Sequence, residues 1–405
     1  MNLHTLKSRF RLLVGLLVTL ATISPAQTSD IVCPGSWKQV SSSGPAPRYH
    51  TSLAFEPRGA QGHEVLFGGL DQSSDHRAGD TWTWDGTVWI HAADAGPSPR
   101  ALPAMAYDIA QRQMVLFGGV GTPGDPNKDN HDTWKWNGTK WTEVAAGGGP
   151  PARNGHGMAY DGARKKVVLF GGGVTFVGDI FNDTWEWDGT AWSQRSTAAA
   201  PSPRGEVGMV YDGAHARTVL FGGASDTKDL GDTWTWDGTV WTEAADTGPP
   251  ARRHPGMVYD NARHRTVLFG GASGVTGSFF GDTWEWDGVR WTQVASAGPA
   301  ARDAVGMAYD KTRGKAVLFG GTLPGGPSLK DTWEWTGPIY GCSGRLAGDL
   351  NCDHVVNHQD LTIVGAALGL PACSAADPRD LNHDGKINAQ DAQLLANKCT
   401  ELGCK

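Results

Sequence analysis

The sequence predicts an all-β chain, a six-bladed β-propeller closed by an N-terminal strand, with a small α-helical module after it. Three observations predict it. A glycine pair ends an apolar run six times, at Gly68-Gly69, Gly118-Gly119, Gly171-Gly172, Gly222-Gly223, Gly270-Gly271 and Gly320-Gly321. Each pair is followed by Asp-Thr-Trp-x-Trp, beginning at Asp80, Asp132, Asp183, Asp232, Asp282 and Asp331. A third tryptophan closes five of the repeats, at Trp89, Trp141, Trp192, Trp241 and Trp291. The period of about 50 residues is that of a repeat architecture in which each unit is one supersecondary element.

At the N-terminus, Lys7, Arg9 and Arg11 precede the apolar run Leu12 to Ile23, and Ser24-Pro25-Ala26 carries the small residues of a cleavage site. Residues 1–26 are therefore expected to be a secretory signal peptide, placing the mature chain outside the cell or at its surface. The run is too short to span a bilayer and no later one approaches the needed length, so no membrane span is expected. A formal charge of -7 argues against a nucleic-acid surface.

Trp37 closes the ring. The sixth repeat breaks off at Trp335-Thr336-Gly337, and the chain has 18 tryptophans, so Trp37 is the one left to complete six sets of three. Its setting, Ser36-Trp37-Lys38-Gln39-Val40, matches Trp291-Thr292-Gln293-Val294. The propeller is accordingly assigned to residues 27–341 and the second module to 342–405.

In the third repeat, His156 to Asp161 reads as a first strand, Val167 to Phe170 as a second and Asp183 to Trp187 as a third, with tryptophans two apart on one face. Asp188-Gly189 marks a hairpin, and Trp192 opens a fourth strand. A lone blade exposes apolar residues on both faces, so blades must stack and close. The glycine pair marks positive φ or a close backbone approach. Over residues 36 to 337 the Gly-Gly pair, the Trp-x-Trp strand and the final tryptophan resemble the kelch repeats.

Turns alternate ends in a meander, so the loops from second to third strand share a rim with the crossovers between blades. Those loops differ in length and sequence while the Asp-Gly hairpins opposite repeat, which favours binding on the variable rim. Each crossover ends in an arginine, Arg48, Arg100, Arg153, Arg204, Arg252 or Arg302, read as architectural because every repeat has one. The residues after these arginines do not repeat. Tyr49, His50, Asn154, His156, Glu206, Arg253, His254 and Asp303 are thus the candidate ligand rim, expected to line the channel mouth as solvated groups.

After Cys342 the pattern changes. Asp349, Asn351, Asp353, Asn357 and Asp360 put oxygen side chains at positions 1, 3, 5, 9 and 12 of one loop; Asp380, Asn382, Asp384, Asn388 and Asp391 repeat this in a second. With the carbonyls of Val355 and Lys386 at position 7, these offsets suit two EF-hand-like calcium sites. Apolar helix patterns follow, Leu361 to Leu368 and Ala392 to Cys399. The paired layout, over about Asp349 to Lys398, resembles a type I dockerin, the module by which secreted bacterial proteins plug into cohesin domains. That resemblance implies bound Ca2+ and a cohesin-like protein partner. Two departures stand out: His354 replaces the turn glycine, and His358-Gln359 and Ala389-Gln390 replace the usual Ser/Thr pair.

Six cysteines, Cys33, Cys342, Cys352, Cys373, Cys399 and Cys404, in an exported chain point to disulfides. With Trp37 beside Asp331 to Trp335, Cys33 enters the last blade near where Cys342 leaves it. The expected bridge is Cys33 with Cys342, followed by Cys352 with Cys373 and Cys399 with Cys404.

These features point to a secreted, non-catalytic recognition or scaffold protein, its propeller binding a glycan or protein ligand and its tail tethering it. Two alternatives stand beside it: an extracellular carbohydrate-active enzyme using rim acid/base residues such as Glu206, Asp303 or His254, and a purely structural surface-assembly component. A galactose-oxidase-like copper site is excluded, because no cysteine lies between Cys33 and Cys342. The sialidase Asp-box fails at Asp75 and Arg77. No nucleophile-elbow, Walker or zinc-protease motif occurs.

Overall fold

The structure, a computed structural model, describes residues 31–401 apart from 60, 72–75, 123, 145–147, 176–177, 341–347, 352–354 and 374–376. The expected signal peptide, Cys342, Cys352, Asp353, His354 and Cys404 lie outside the described residues. Six four-stranded antiparallel sheets are arranged around a central channel. Within each, strands a to d run from the channel outward; in blade 3 they are Gly157–Asp161, Lys166–Phe170, Thr184–Trp187 and Trp192–Arg195. Strand b is buried along its apolar run because it has a blade on either side, whereas strand d has exposed positions.

Blade 6 takes its outer strand from the N-terminus: Ser36–Ser41 pairs antiparallel with Thr332–Thr336, Trp37 facing Trp335. Trp37 then behaves like every other d-strand tryptophan. Its Nε1 donates to Thr283 of blade 5 at 2.9 Å, and Trp89 of blade 1 donates to Thr332 of blade 6 at 2.8 Å. Trp141, Trp192, Trp241 and Trp291 donate likewise to Thr81, Thr133, Thr184 and Thr233. Each of the six indoles also meets a phenylalanine of the neighbouring b strand edge-on, Trp37 against Phe269 and Trp89 against Phe319. Edge-to-face contact adds about 0.5–1.5 kcal/mol per pair beyond burial.

The six arginines hold the rim. Arg100 accepts from Gly69 N–H and donates its own N–H to Ala78 of blade 1, while its guanidinium reaches Gly118 O and both oxygens of Asp132 in blade 2. The same bidentate pair recurs from Arg48 to Asp80, Arg153 to Asp183, Arg204 to Asp232, Arg252 to Asp282 and Arg302 to Asp331. Burial alone would raise Asp132, but Arg100 and Trp134 outweigh it and hold the carboxyl below its usual range. The glycine pair makes room for this: Gly68 has φ +73°, and a Cβ there would lie 2.7 Å from Arg100 O.

The Asp-Gly hairpins are four-residue loops. Asp188 Oδ1 accepts from the Thr190 hydroxyl and, in an Asx turn, from Ala191 N and Thr190 N, and these bonds draw that carboxyl down to about 2.

The C-terminal module contains helix α1, His358–Ala367, and helix α2, Ala389–Glu401. Both begin three residues before the expected apolar runs. In α1 the reason is a capping box: Asn357 accepts from Gln359 N, and Asp360 reaches back to Asn357 N. No helix among the described residues is long and apolar enough to cross a membrane.

The expected disulfides Cys33–Cys342 and Cys352–Cys373 are overturned, because Cys33 pairs with Cys373, their Cα atoms 5.7 Å apart. Register explains the difference. Ile31–Cys33 continues past the blade as a ribbon with Ile339–Tyr340, Cys33 facing Ile339 and Ile31 facing Tyr340, so the chain after Ile339 runs away from Cys33. The module meanwhile folds back under blades 5 and 6, and Cys33 joins Ala262 and Ile339 in one apolar cluster with Leu350, Val356, Ile363, Val364 and Leu395. Cys399 is disulfide-bonded too.

Arg153 is fully buried and Arg290 about 42% exposed in its pair with Asp287. Arg153→Ala is expected to cost about 3 kcal/mol in urea unfolding, because it removes a fully buried clamp and leaves the half-buried Asp183 carboxylate without its partner. Arg290→Ala should stay within about 1 kcal/mol. Equal losses would show that the rim arginines are not the clamps described.

Candidate functional site

The rim follows from what comes after each clamp. The next residue bridges the opening of the b–c loop, pairing Tyr49 with Leu70, Ala101 with Val120, Asn154 with Gly173, Gly205 with Ala224, Arg253 with Ala272 and Asp303 with Thr322. The residue after that turns left-handed. His50, Leu102, Gly155, Glu206, His254 and Ala304 have φ of 55, 55, 62, 61, 49 and 55°. Their backbones link in succession around the channel: His50 N–H to Ala304 O, Leu102 to His50, Gly155 to Leu102, Glu206 to Gly155 and His254 to Glu206, at 2.6–3.2 Å. Non-glycine residues in this region cost about 1–3 kcal/mol each and concentrate where function requires them.

This collar divides the mouth into two spaces. Above it lies an open basin of about 690 Å³, lined by Tyr49, His50, Arg77, Asn127, Asn154, Asp179, Glu206, Asp226 and Arg253 among others. At the collar is a smaller cavity of about 120 Å³ walled by His50, His156, Glu206 and His254 with apolar neighbours. His254 sits 3.5 Å from Glu206 Oε1 on one side and 3.5 Å from Asp303 Oδ1 on the other. Burial would lower its pKa, but the two carboxylates outweigh that and bring it up to about 8. His50, its ring 4.4 Å from that of His254, is pushed well below the usual range by burial and by the His254 charge. Burial and Arg153 bring His156 down to about 3. One imidazolium therefore stands among two carboxylates and two neutral imidazoles.

All eight residues picked from the sequence come together here. His254 and Asp303, however, are only 11% and 15% exposed, not solvated rim groups, because the collar draws them inward. Asn154 and Arg253 have a second task, tying blades together through Asp129 and Asp229. Among the described residues, His50 Nε2, both nitrogens of His156 and His254, Glu206 Oε2 and Asp303 Oδ1 are buried without a hydrogen-bond partner. His254 meets both carboxylates only at 3.5 Å, longer than a good hydrogen bond, which leaves this cluster hydrogen-bonding capacity for a polar ligand. Arg77, Asn127, Asp179 and Asp226 were missed. They come from b–c loops whose variability was the available signal.

On the opposite rim the closing aspartates of the two acidic loops accept the same three backbone N–H bonds. Asp391 accepts from Leu381 N, Asn382 N and Asn388 N, as Asp360 does from Leu350 N, Asn351 N and Asn357 N. Asp349, Asp360, Asp380 and Asp391 are at most 4% exposed. In the second loop Asp384 gathers the side chains of Asn382 and Asn388 within 3.2 Å. Aspartates at the first, fifth and twelfth positions with asparagines at the third and ninth are the hard-oxygen donor types that suit calcium, so the residue chemistry fits that ion.

Residues 108–321 match the model of the KLHDC2/KLHL20/DRC7 Kelch-repeats domain, more than half of the chain. Residues 347–399 match that of the dockerin type I domain. Among solved structures the chain is similar to the one described as the structure of YjhT, at 15% identity and a TM-score of 0.57, covering 71% of this chain and 95% of that one. That likeness shows the fold.

His254's folded pKa of about 8 lies above the roughly 6.5 of an unfolded histidine. Its contribution to stability is thus fully present below pH ~6.5 and lost as pH rises through about 8. The melting-temperature gap between the parent and His254→Gln is expected to narrow from pH 6 to pH 9. A gap constant with pH would mean that His254 is not charged in the folded protein.

Proposed function

We propose that this chain, which belongs to the kelch-repeat family and carries a type I dockerin domain, is a secreted, non-catalytic recognition protein. Its propeller takes a glycan or protein ligand at the channel mouth, and its tail tethers it to a cohesin-type domain. The observation that carries the first half is the buried, loosely paired polar cluster of His50, Glu206, His254 and Asp303 beneath an open basin. Tethering leaves that mouth free, because the module packs against the hairpins around Ala262 and Gly314 at the far end of the channel.

Calcium would be held by Asp349, Asn351, Asp353, Val355 O, Asn357 and Asp360 in the first loop. In the second the ligands would be Asp380, Asn382, Asp384, Lys386 O, Asn388 and Asp391. Its role is to neutralise carboxylates that otherwise repel, which couples metal binding to folding of the module. A second reading, a carbohydrate-active enzyme, draws on the placement of His254 between Glu206 and Asp303, an acid/base set at the mouth.

A glycan array run beside a polysaccharide turnover assay separates these readings. Capture without turnover is expected, and it should be lost when Tyr49→Ala is combined with Glu206→Gln. Turnover abolished by Glu206→Gln would favour the enzyme instead. For the metal, calorimetry of the chelator-treated full chain is expected to give two calcium ions, reduced to one by Asp384→Ala. Protease resistance of the module that is indifferent to chelation would refute calcium-ordered folding.

A further inference from the structure

The two halves of the module repeat one loop pattern and the hydrogen bonds of its closing aspartate, yet they are not equivalent in what covers them. Gln390 repeats Gln359 in detail: each N–H donates to the preceding asparagine at 2.7 Å, and each Oε1 accepts from the loop asparagine, Asn382 or Asn351. From these glutamines the spacing i, i+3, i+4, i+7 defines one stripe on each helix. On α1 it is Gln359, Thr362, Ile363 and Ala366; on α2 it is Gln390, Gln393, Leu394 and Asn397.

The α1 stripe is seated on the propeller. His264 Nε2 lies 3.1 Å from Gln359 Oε1, and Ala262 joins the cluster containing Ile363. Gly314 passes so close that a Cβ would lie 2.8 Å from Thr362 Cγ2. Lys315 donates to Ala366 O, supplying the cation that the last turn of α1 lacks. Ile363 is consequently 5% exposed, whereas its counterpart Leu394 is 39% exposed. Gln390, Gln393 and Asn397 are exposed with it. The disulfide from Cys33 to Cys373 secures the seating covalently.

We infer that the α2 stripe is the partner-docking face, and that the module takes one cohesin-type domain in a single orientation because the propeller consumes the matching face of α1. This rests on the tethering reading above and adds to it which face is used. The α1 contact shows what such a stripe accepts: small residues that let a hairpin approach closely, with a donor aimed at the glutamine. The α2 stripe offers the same complement around a central leucine and two further amides. The α2 stripe thus presents an exposed leucine with amide groups around it for hydrogen bonding.

The test is calorimetric titration of the full chain with a purified type I cohesin domain in calcium. One domain per chain is expected. Leu394→Asp, at an exposed position, should leave the melting temperature unchanged and weaken binding at least about thirtyfold, the size of a hot-spot loss. Gln359→Ala combined with Thr362→Ala should stay within about threefold of the parent, since that face is already covered. Undiminished binding by Leu394→Asp, a strong loss from the α1 variant, or two domains per chain would each overturn the inference while leaving tethering intact. Failure of the unmodified chain to bind would bring down the tethering reading as well as the inference.

Discussion

One guanidinium at each blade junction carries the architecture. Its backbone belongs to the loop of the preceding blade and its side chain to the carboxylate and glycine carbonyl of its own, so two sheets are indexed by a single residue. A buried ion pair is a poor source of net stability, since desolvating two charges offsets most of their attraction. It is a good source of geometry, because a planar fork accepts a carboxylate in one orientation. Repeated six times, that orientation sets the angle between blades and brings the first blade back to the last. The indole of each outer strand does the corresponding work at the periphery, donating to a threonine and resting on a phenylalanine of the adjacent blade.

Given that frame, the two ends of the channel have opposite fates. One end carries the chain's own module, seated under blades 5 and 6 through a shared apolar cluster, a disulfide and a half-buried lysine. Burial draws the Lys315 ammonium down to about 8 against the end of α1. The other is open and polar, with an imidazolium between carboxylates. In the proposed reading, recognition and attachment occupy opposite ends of the molecule, so a ligand at the mouth would be held away from a partner of the module.

Much of this was legible in the residues. Ring closure was readable because the 18 tryptophans make six sets of three only if Trp37 completes the last, which puts it beside Asp331 to Trp335. The rim was readable because positions that fail to repeat inside a repeat stand out. The disulfide was not, since Cys373 reaches Cys33 only after the module folds back against Ala262 and Ile339, and nothing local encodes that docking. The early helix starts were missed for a smaller reason: Asn357 and Asp360 were read as calcium ligands, which hid their second role as a capping box. The left-handed collar gave no signal either. Left-handed turns are normally announced by glycine or asparagine, and of His50, Leu102, Gly155, Glu206, His254 and Ala304 only one is a glycine.

That collar has an evolutionary consequence. Because its links run from backbone to backbone, the aperture is independent of which side chains project from it, so the six positions work as interchangeable sockets on a fixed ring. A lineage could rewrite the chemistry of the mouth by point substitution without rebuilding a strand or moving a blade. The alphabet for such rewriting is restricted, since left-handed backbone disfavours β-branched residues and tolerates histidine, asparagine, aspartate and glycine. Two histidines and a glycine among the six sockets belong to that alphabet, while Leu102, Glu206 and Ala304 show that the ring also holds apolar and longer side chains in the left-handed conformation. Substitution there can therefore change the mouth from polar to apolar without changing the aperture.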